Sequence, residues 1–210
     1  MPEFSPPALR PADGVRVPSG AFSGEFNRVD QAIRDHDSWK LERQQTFDEG
    51  DDDSWLAFCR GEWHEALRLH EAQRPQLEAV GREDAARGSV FHRVRVAEAP
   101  LTPYMQWELH ALRIQHESGM PVRVVDGGAV GHYEKTGPLP EVVVLGGRVL
   151  YRVVYTDAGA VDGAVRFDDP RTVRGWEAFI AGLFHRGEDM TTYFDREVAH
   201  LAPPQPTTPR

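Results

Sequence analysis

The sequence predicts an α+β fold: a mostly antiparallel sheet with a C-terminal three-stranded meander, packed by several helices. Apolar residues recur at helical spacing in some segments and alternate with polar residues in others. Near the C-terminus, Gly146-Gly147 separates two β-rich runs, as expected for a hairpin turn. An apolar content of 40% is typical of a chain with a hydrophobic core.

A length of 210 residues suits a single domain. Both ends are rich in proline and poor in core-forming residues, a composition typical of mobile tails. We therefore expect a disordered tail over 1–21, one α+β domain over 22–201, and a second disordered tail over 202–210.

The N-terminal half predicts a helix from Phe22 to Ile33 and a short strand around Trp39-Lys40-Leu41-Glu42. The acidic run before Trp55 lacks the ligand spacing of a calcium loop, so we interpret it as the cap of the next helix. The apolar stripe of that helix continues to Pro75, with an interruption at Gly61. It turns Cys59 and His70 toward the core, and Trp55, Trp63 and Trp176 are expected to be mostly buried.

The remaining elements follow from alternation, turn residues and caps. Asp169 and Pro170 are predicted to cap and begin a helix. The predicted order is a strand over 89–97, a helix from Thr102, a strand over 122–125, a hairpin over 141–155, a strand over 161–167, the helix after Asp169, and a short helix from Met190.

Charge and cysteine content narrow the classes of function. A net charge of -9 disfavours direct binding to nucleic acid. Cys59 is the single cysteine, so no internal disulfide can form. The sequence shows neither a signal-peptide pattern nor an apolar run of about 20 residues. These features predict a cytoplasmic protein that does not bind membranes.

Common catalytic and nucleotide-binding signatures are missing from the sequence. The histidine pairs His64/His70 and His110/His116 are six residues apart, whereas chelating pairs on a helix are three or four apart. Aromatic neighbours predict an apolar setting for Cys59, which disfavours a thiolate. We predict no catalytic residue, no metal site and no cofactor.

The most unusual segment is Phe91-His92-Arg93-Val94-Arg95-Val96. In a strand, Arg93 and Arg95 share one face. Tyr104 and Glu108 lie one turn apart on the following helix, where Glu108 can pair with an arginine. Arg93, Arg95, Tyr104 and Glu108 are therefore expected to cluster, either as a structural ion-pair network or as a site for an anionic ligand or partner.

This segment resembles an actinobacterial family that is labelled a domain of unknown function. Its pattern of Arg-Val-Arg-Val, Glu-x-Pro, Tyr and Glu is present here as Arg93–Val96, Glu98, Pro100, Tyr104 and Glu108. The similarity spans most of residues 22–184 and departs from the family between Glu62 and Arg87, at Phe47, and after Arg186. The resemblance implies a gene neighbourhood with helix-turn-helix regulators and carries over no catalytic residue.

We therefore hypothesise a non-enzymatic regulatory or protein-interaction protein, with a helix-turn-helix regulator or another protein as its partner. One alternative is a small hydrolase or nuclease-like enzyme that uses the four-residue cluster on a phosphate-containing substrate. Another is a small-molecule sensor whose ligand lies against the meander. A concave pocket with convergent polar groups would favour the enzyme or the sensor.

Overall fold

The computed structural model describes residues 5–205, within which the chain forms an eight-stranded sheet. The strands are β1 (Val15–Pro18), β2 (Ser38–Glu42), β3 (Phe91–Ala97), β4 (Val122–Asp126), β5 (Val142–Leu145), β6 (Val149–Tyr155), β7 (Val161–Phe167) and β8 (Glu188–Asp189). Their order across the sheet is β1-β7-β6-β5-β2-β3-β4-β8.

The helices connect and cover these strands. They are α1 (Ser19–Gln31), α2 (Asp53–Cys59), α3 (Trp63–Ala72), α4 (Arg74–Ala86), α5 (Pro103–Glu117), α6 (Gly127–Val130), α7 (Pro170–Arg186) and α8 (Met190–Glu197). Two short 3-10 helices lie at Pro11–Asp13 and Gly131–Tyr133. None of the helices in the described part of the chain is long and apolar enough to cross a membrane.

The predicted α+β class is confirmed, and most strand pairs are antiparallel. Strands β5, β6 and β7 form the predicted C-terminal meander. The exception is the centre, where β2, β3 and β4 pair in parallel. Parallel neighbours require long crossovers. Here the crossovers contain α2 to α4 between β2 and β3, and α5 between β3 and β4.

Local sequence signals define several turns and helix starts. Gly146 and Gly147 both have positive φ, at 53° and 61°, as the two-residue turn between β5 and β6 requires. The side chain of Asp52 accepts a hydrogen bond from the backbone of Trp55 and caps α2. Asp169 caps α7 in the same way, directly before Pro170. The predicted hairpin and both predicted caps are therefore confirmed.

One face of the sheet is covered by α7. Its apolar stripe packs on β2, β3 and the meander, where Trp39, Val94 and Val142 point toward the helix. The buried residues that α7 contributes are Val173, Trp176, Phe179, Ile180, Leu183 and Phe184. This face is closed by a continuous hydrophobic core.

The opposite face is covered by two separate groups of helices. Helices α2, α3, α5 and α8 form an aromatic-rich core over β3 and β4. Helix α1 forms a smaller core over β5, β6 and β7, with Phe22 and Phe26 packed near Tyr151. Between the two groups, the sheet is only partly covered, and the candidate site described below lies there.

Two boundaries near the N-terminus differ from the sequence-based expectation. Residues 15–18, which we assigned to the N-terminal tail, form β1 on the edge of the sheet, and α1 begins at Ser19. The alternation of Val15 and Val17 with Arg16 explains this strand. The C-terminal tail from 202 lies partly outside the described residues.

The helical stripe from Trp55 is interrupted at Gly61, as predicted, and a new helix begins near Pro75. Gly61 has a φ of 78°, which ends α2, and α4 begins at Arg74 with Pro75 in its first turn. Trp55 and Trp176 are buried as expected, whereas Trp63 is only half-buried.

Candidate ligand-binding site

A block of four charged residues lies on the partly covered face of the sheet. The parallel register of β2 and β3 sets Lys40 opposite Arg93 and Glu42 opposite Arg95. Because side chains alternate along a strand, all four point to the same face. The sequence thus builds a charged patch at the centre of a sheet whose other face is apolar.

Glu42 connects two of the three cations, Lys40 and Arg93. Its carboxylate lies 2.5 Å from Lys40 Nζ and 3.0 Å from Arg93 Nη1. Burial alone would disfavour the charged form of Glu42, but Arg93, Lys40 and Arg95 outweigh it and lower the pKa to about 2. Glu42 is therefore a fixed anion shared by neighbouring cations.

Arg95 is fully buried and is bound on all sides. Its Nε donates to Glu108 at 2.7 Å, and Nη1 donates to the carbonyl of Val96 at 3.2 Å. Nη2 contacts the Met105 sulfur, and the guanidinium lies 5.7 Å from the centroid of Phe47. Burial opposes its charge, but the carboxylates of Glu108 and Glu42 keep the pKa of Arg95 above its ordinary value.

Tyr104 belongs to the same closed region. Its hydroxyl donates to Glu49 at 2.5 Å, and its ring packs against Phe47, Trp55 and Trp107. Burial and the neighbouring carboxylates raise the pKa of Tyr104, so the phenol stays protonated as a hydrogen-bond donor. Burial also raises the pKa of Glu49.

A further carboxyl lies at the end of β5. The pairing of Leu41 with Val142 sets Glu141 beside Glu42 on the same face. Glu141 Oε1 accepts hydrogen bonds from the backbone amides of Arg43 and Gln44, at 2.9 and 2.8 Å, while the buried Oε2 has no partner. Burial and the charge of Glu42 raise the pKa of Glu141 to about 7.

A cavity of about 880 Å³ opens above this patch, between α1, α4 and the sheet. Lys40 and Arg93 lie on its floor, beside Val143 and Val153 of the meander. Gly81 lets α4 pack closely on the end of α5, because a Cβ there would collide with the carbonyl oxygen of Ser118. Apolar wall residues of the cavity are Phe22, Phe26, Leu77, Val80, Met120 and Val161.

The rim of the cavity is acidic. Asp30, Glu83 and Asp84 lie there with Arg87, which forms ion pairs with both aspartates. The floor instead holds two cations that share one carboxylate. Charge is therefore distributed unevenly, positive inside and negative outside.

The four predicted site residues fall into two environments. Arg95, Tyr104 and Glu108 are brought together in the closed network under α5 and do not line the cavity. Arg93 lies on the cavity floor. The predicted cluster thus contains two separate groups: Arg95, Tyr104 and Glu108 in a closed network, and Arg93 at the cavity.

The sequence reasoning missed three residues of the site. Lys40 and Glu42 were visible as the polar positions of the Trp39–Glu42 alternation, and their register with β3 was not predictable from that pattern. Glu141 directly precedes the β5 run and gave no signal of its own. The cavity depends on the spacing between helices, which cannot be predicted from the periodicity of apolar residues in the sequence.

Other chemistry-bearing residues lie apart from this cavity. His70 and His110 are buried or half-buried, and burial lowers the pKa of each to about 4. Burial raises the pKa of the Cys59 thiol, which packs beside the aromatic core under α2. Within residues 5–205, no group of three or more His, Cys, Asp or Glu side chains is arranged to hold a metal ion.

Comparison with curated proteins and with solved structures gives no match. A family model described as a domain of unknown function, DUF6879, matches residues 24–195. The match covers most of α1 and α8 and all elements between them, including every strand from β2 to β8 and the cavity-floor cations Lys40 and Arg93. The chain therefore belongs to the DUF6879 family.

Proposed function

We propose that this domain binds a small amphipathic molecule with an anionic group. The observation that carries the proposal is the pair of cations, Lys40 and Arg93, on the floor of an apolar-walled cavity of about 880 Å³. Ligand sites are commonly concave and mostly apolar, with a few convergent polar groups. The anionic group would lie at the two cations, and the apolar part would contact Phe22, Phe26 and Val153.

The two cations retain donors for a ligand. A guanidinium has five N–H groups. In the described chain, the Arg93 guanidinium uses Nη1 for Glu42 and makes no other hydrogen bond. Lys40 forms its ion pair with the same carboxylate. Lys40 and Arg93 thus share the carboxylate of Glu42, and both line the cavity where an anion can reach them.

The geometry favours binding over catalysis by the predicted cluster. Arg95, Tyr104 and Glu108 are buried and bonded to protein groups, so a phosphate-containing substrate would have to break these bonds to reach them. We assign these three residues an architectural role. Of the four predicted residues, Arg93 is the one that we propose contacts a ligand.

If the domain binds such a ligand and also belongs to a regulatory module, it would act there as a small-molecule sensor. The family resemblance supports it through its actinobacterial members and their neighbouring helix-turn-helix regulators. Ligand binding beside the meander would then alter contact with a protein partner. Affinity capture from the native host, with and without a bound amphiphile, tests this part, and a partner whose recovery is insensitive to the ligand would contradict it.

Matched ten-carbon probes test the binding proposal. Decanoate should bind the full chain and raise its thermal midpoint, whereas 1-decanol should bind at least about tenfold more weakly because it lacks the charge that Arg93 and Lys40 attract. Decyltrimethylammonium should bind weakest. Calorimetry gives the affinities, and equal affinity for the three probes would contradict a site for anions.

A blocking variant tests whether the probe enters this cavity. Ser23 is exposed and lines the cavity, so Ser23→Trp should obstruct it and reduce decanoate affinity at least about tenfold with little change in stability. Gly24→Trp is the control, because a side chain at Gly24 meets nothing within 4 Å and does not line the cavity. Equal affinity in both variants would place the probe elsewhere.

A further inference from the structure

The carboxyl of Glu141 does not line the cavity, but it lies beside Glu42, the carboxylate that holds the two cations of the cavity floor. Glu42 lies beside it across the β2–β5 pair and bonds both Lys40 and Arg93. Glu141 Oε1 instead accepts hydrogen bonds from two backbone amides, and Oε2 has no hydrogen-bond partner. Two neighbouring carboxyls thus differ sharply, one fully paired with cations and the other without a cation in direct contact.

We propose that an anion binding at Lys40 and Arg93 is coupled to protonation of Glu141. This inference rests on the proposed function and describes how that same site is regulated. The ligand class is an amphipathic carboxylate or phosphate. The domain would bind it tightly when Glu141 is neutral and weakly when Glu141 is ionised.

The charges on the floor give the reason. With Glu141 neutral, an anion at Lys40 and Arg93 lies near one ionised carboxylate of this pair, that of Glu42. With Glu141 ionised, the anion lies near two buried carboxylates. Like charges in a buried site repel strongly because water screens them poorly.

Few other groups near Glu141 could compensate for the charge of its ionised carboxylate. Glu42 faces it from β2, Arg95 from β3 and Tyr155 from β6. Arg95 is already paired with Glu108. The phenol of Tyr155 stays neutral, because burial and the surrounding carboxylates raise its pKa. Glu141 is therefore the group of this set whose ionisation changes near neutral pH, since burial and Glu42 raise its pKa to about 7.

Calorimetry on the full chain tests the coupling directly. Decanoate and decyl phosphate are titrated at about pH 6 and about pH 8.5, each in two buffers of different ionisation enthalpy. The decanoate carboxyl titrates in the ordinary range of about 4–5 and stays ionised throughout. We expect decanoate affinity to fall at least about threefold at the higher pH, with net proton uptake near neutrality.

Two carboxyl variants test which side chain takes up the proton when decanoate binds. In Glu141→Gln, decanoate should bind with an affinity that is independent of pH and without proton uptake. Glu49→Gln is the control, since the pKa of Glu49 is also raised but the residue is exposed and its carboxylate accepts a hydrogen bond from Tyr104. That variant should keep the pH dependence of the unmodified chain. The proton count in the unmodified chain does not depend on either variant folding.

The outcomes separate the two proposals. Decanoate binding without proton uptake and without pH dependence would overturn the coupling and leave the binding proposal standing. Loss of the pH dependence in Glu49→Gln, with its retention in Glu141→Gln, would also overturn the assignment to Glu141. Failure of both anionic probes to bind at either pH would overturn the proposed function, and the coupling with it. Decyl phosphate and decanoate together distinguish a phosphate head from a carboxylate head.

Discussion

Arg93 and Arg95 lie two residues apart on the same face of β3, yet their environments are opposite. Arg95 is fully buried beneath α5 and binds Glu108, a backbone carbonyl and the Met105 sulfur. Arg93 lies on the floor of an open cavity and binds one carboxylate oxygen of Glu42. The residue type and the strand position are equivalent, so the difference arises from which helix covers each position.

The contrast separates two uses of a buried charge. A cation enclosed with its partners is costly to unpair, because the remaining charge has neither water nor a counterion. A cation at a cavity floor keeps free donors and can exchange partners with a ligand. We expect substitutions around Arg95 to change stability and substitutions around Arg93 to change binding.

The largest effect is expected for Glu108→Ala. Removing this carboxylate leaves the Arg95 guanidinium buried without its anion, which should lower the free energy of unfolding by about 3–5 kcal/mol. Denaturant titration of the variant and of the unmodified chain measures the loss. A Glu108→Ala protein whose free energy of unfolding falls by less than about 1 kcal/mol would contradict the architectural role of Glu108. It would also remove the proposed difference between Arg95 and Arg93.

The next effect concerns the pH dependence of stability at Glu141. Its pKa is about 7 in the folded chain against an ordinary value of 4.5, so its contribution to stability is fully present below 4.5 and is lost as the pH rises through 7. The total loss is about 3 kcal/mol, at about 1.4 kcal/mol for each pH unit between the two values. Glu141→Gln should remove this dependence.

Denaturation of both proteins at about pH 5 and about pH 8 provides the measurement, because the difference between them isolates this carboxyl from other titrating groups. The stability of Glu141→Gln relative to the unmodified chain should rise with pH. Parallel stability profiles for the two proteins would show that Glu141 titrates normally and would weaken the charge argument for its role beside the cavity.

A smaller loss of stability is expected for Arg93→Met, together with a clear effect on binding. Lys40 remains paired with Glu42, so the free energy of unfolding should fall by about 1–2 kcal/mol, less than for Glu108→Ala. Decanoate affinity should fall at least about tenfold, which corresponds to about 1.4 kcal/mol. If Arg93→Met bound decanoate normally, the two arginines would no longer differ in function.

The smallest change in stability is expected for Lys40→Met, in the more exposed of the two floor cations. Arg93 remains paired with Glu42 when Lys40 is replaced, so the loss should be about 1 kcal/mol. Decanoate binding should weaken, and the effects of Lys40→Met and Arg93→Met should not be additive because both side chains contact Glu42. Strict additivity would argue against a shared site.

Several features could be predicted because they depend on short-range rules. The Gly146-Gly147 turn, the Asp52 and Asp169 caps, and the placement of Arg93 and Arg95 on one strand face follow from backbone preferences and from alternation. The pairing of Arg95 with Glu108 was also within reach, since one strand and the next helix carry both residues.

Only the tertiary structure decided which of these residues share a surface. The parallel register of β2 and β3 brings Lys40 and Glu42 beside the arginines, although about 50 residues separate the strands. The β2–β5 pairing then adds Glu141 from nearly 100 residues away. Alternation determines the face to which a side chain points, but the packing of the helices determines whether that face is closed, as at Arg95, or open, as at Arg93.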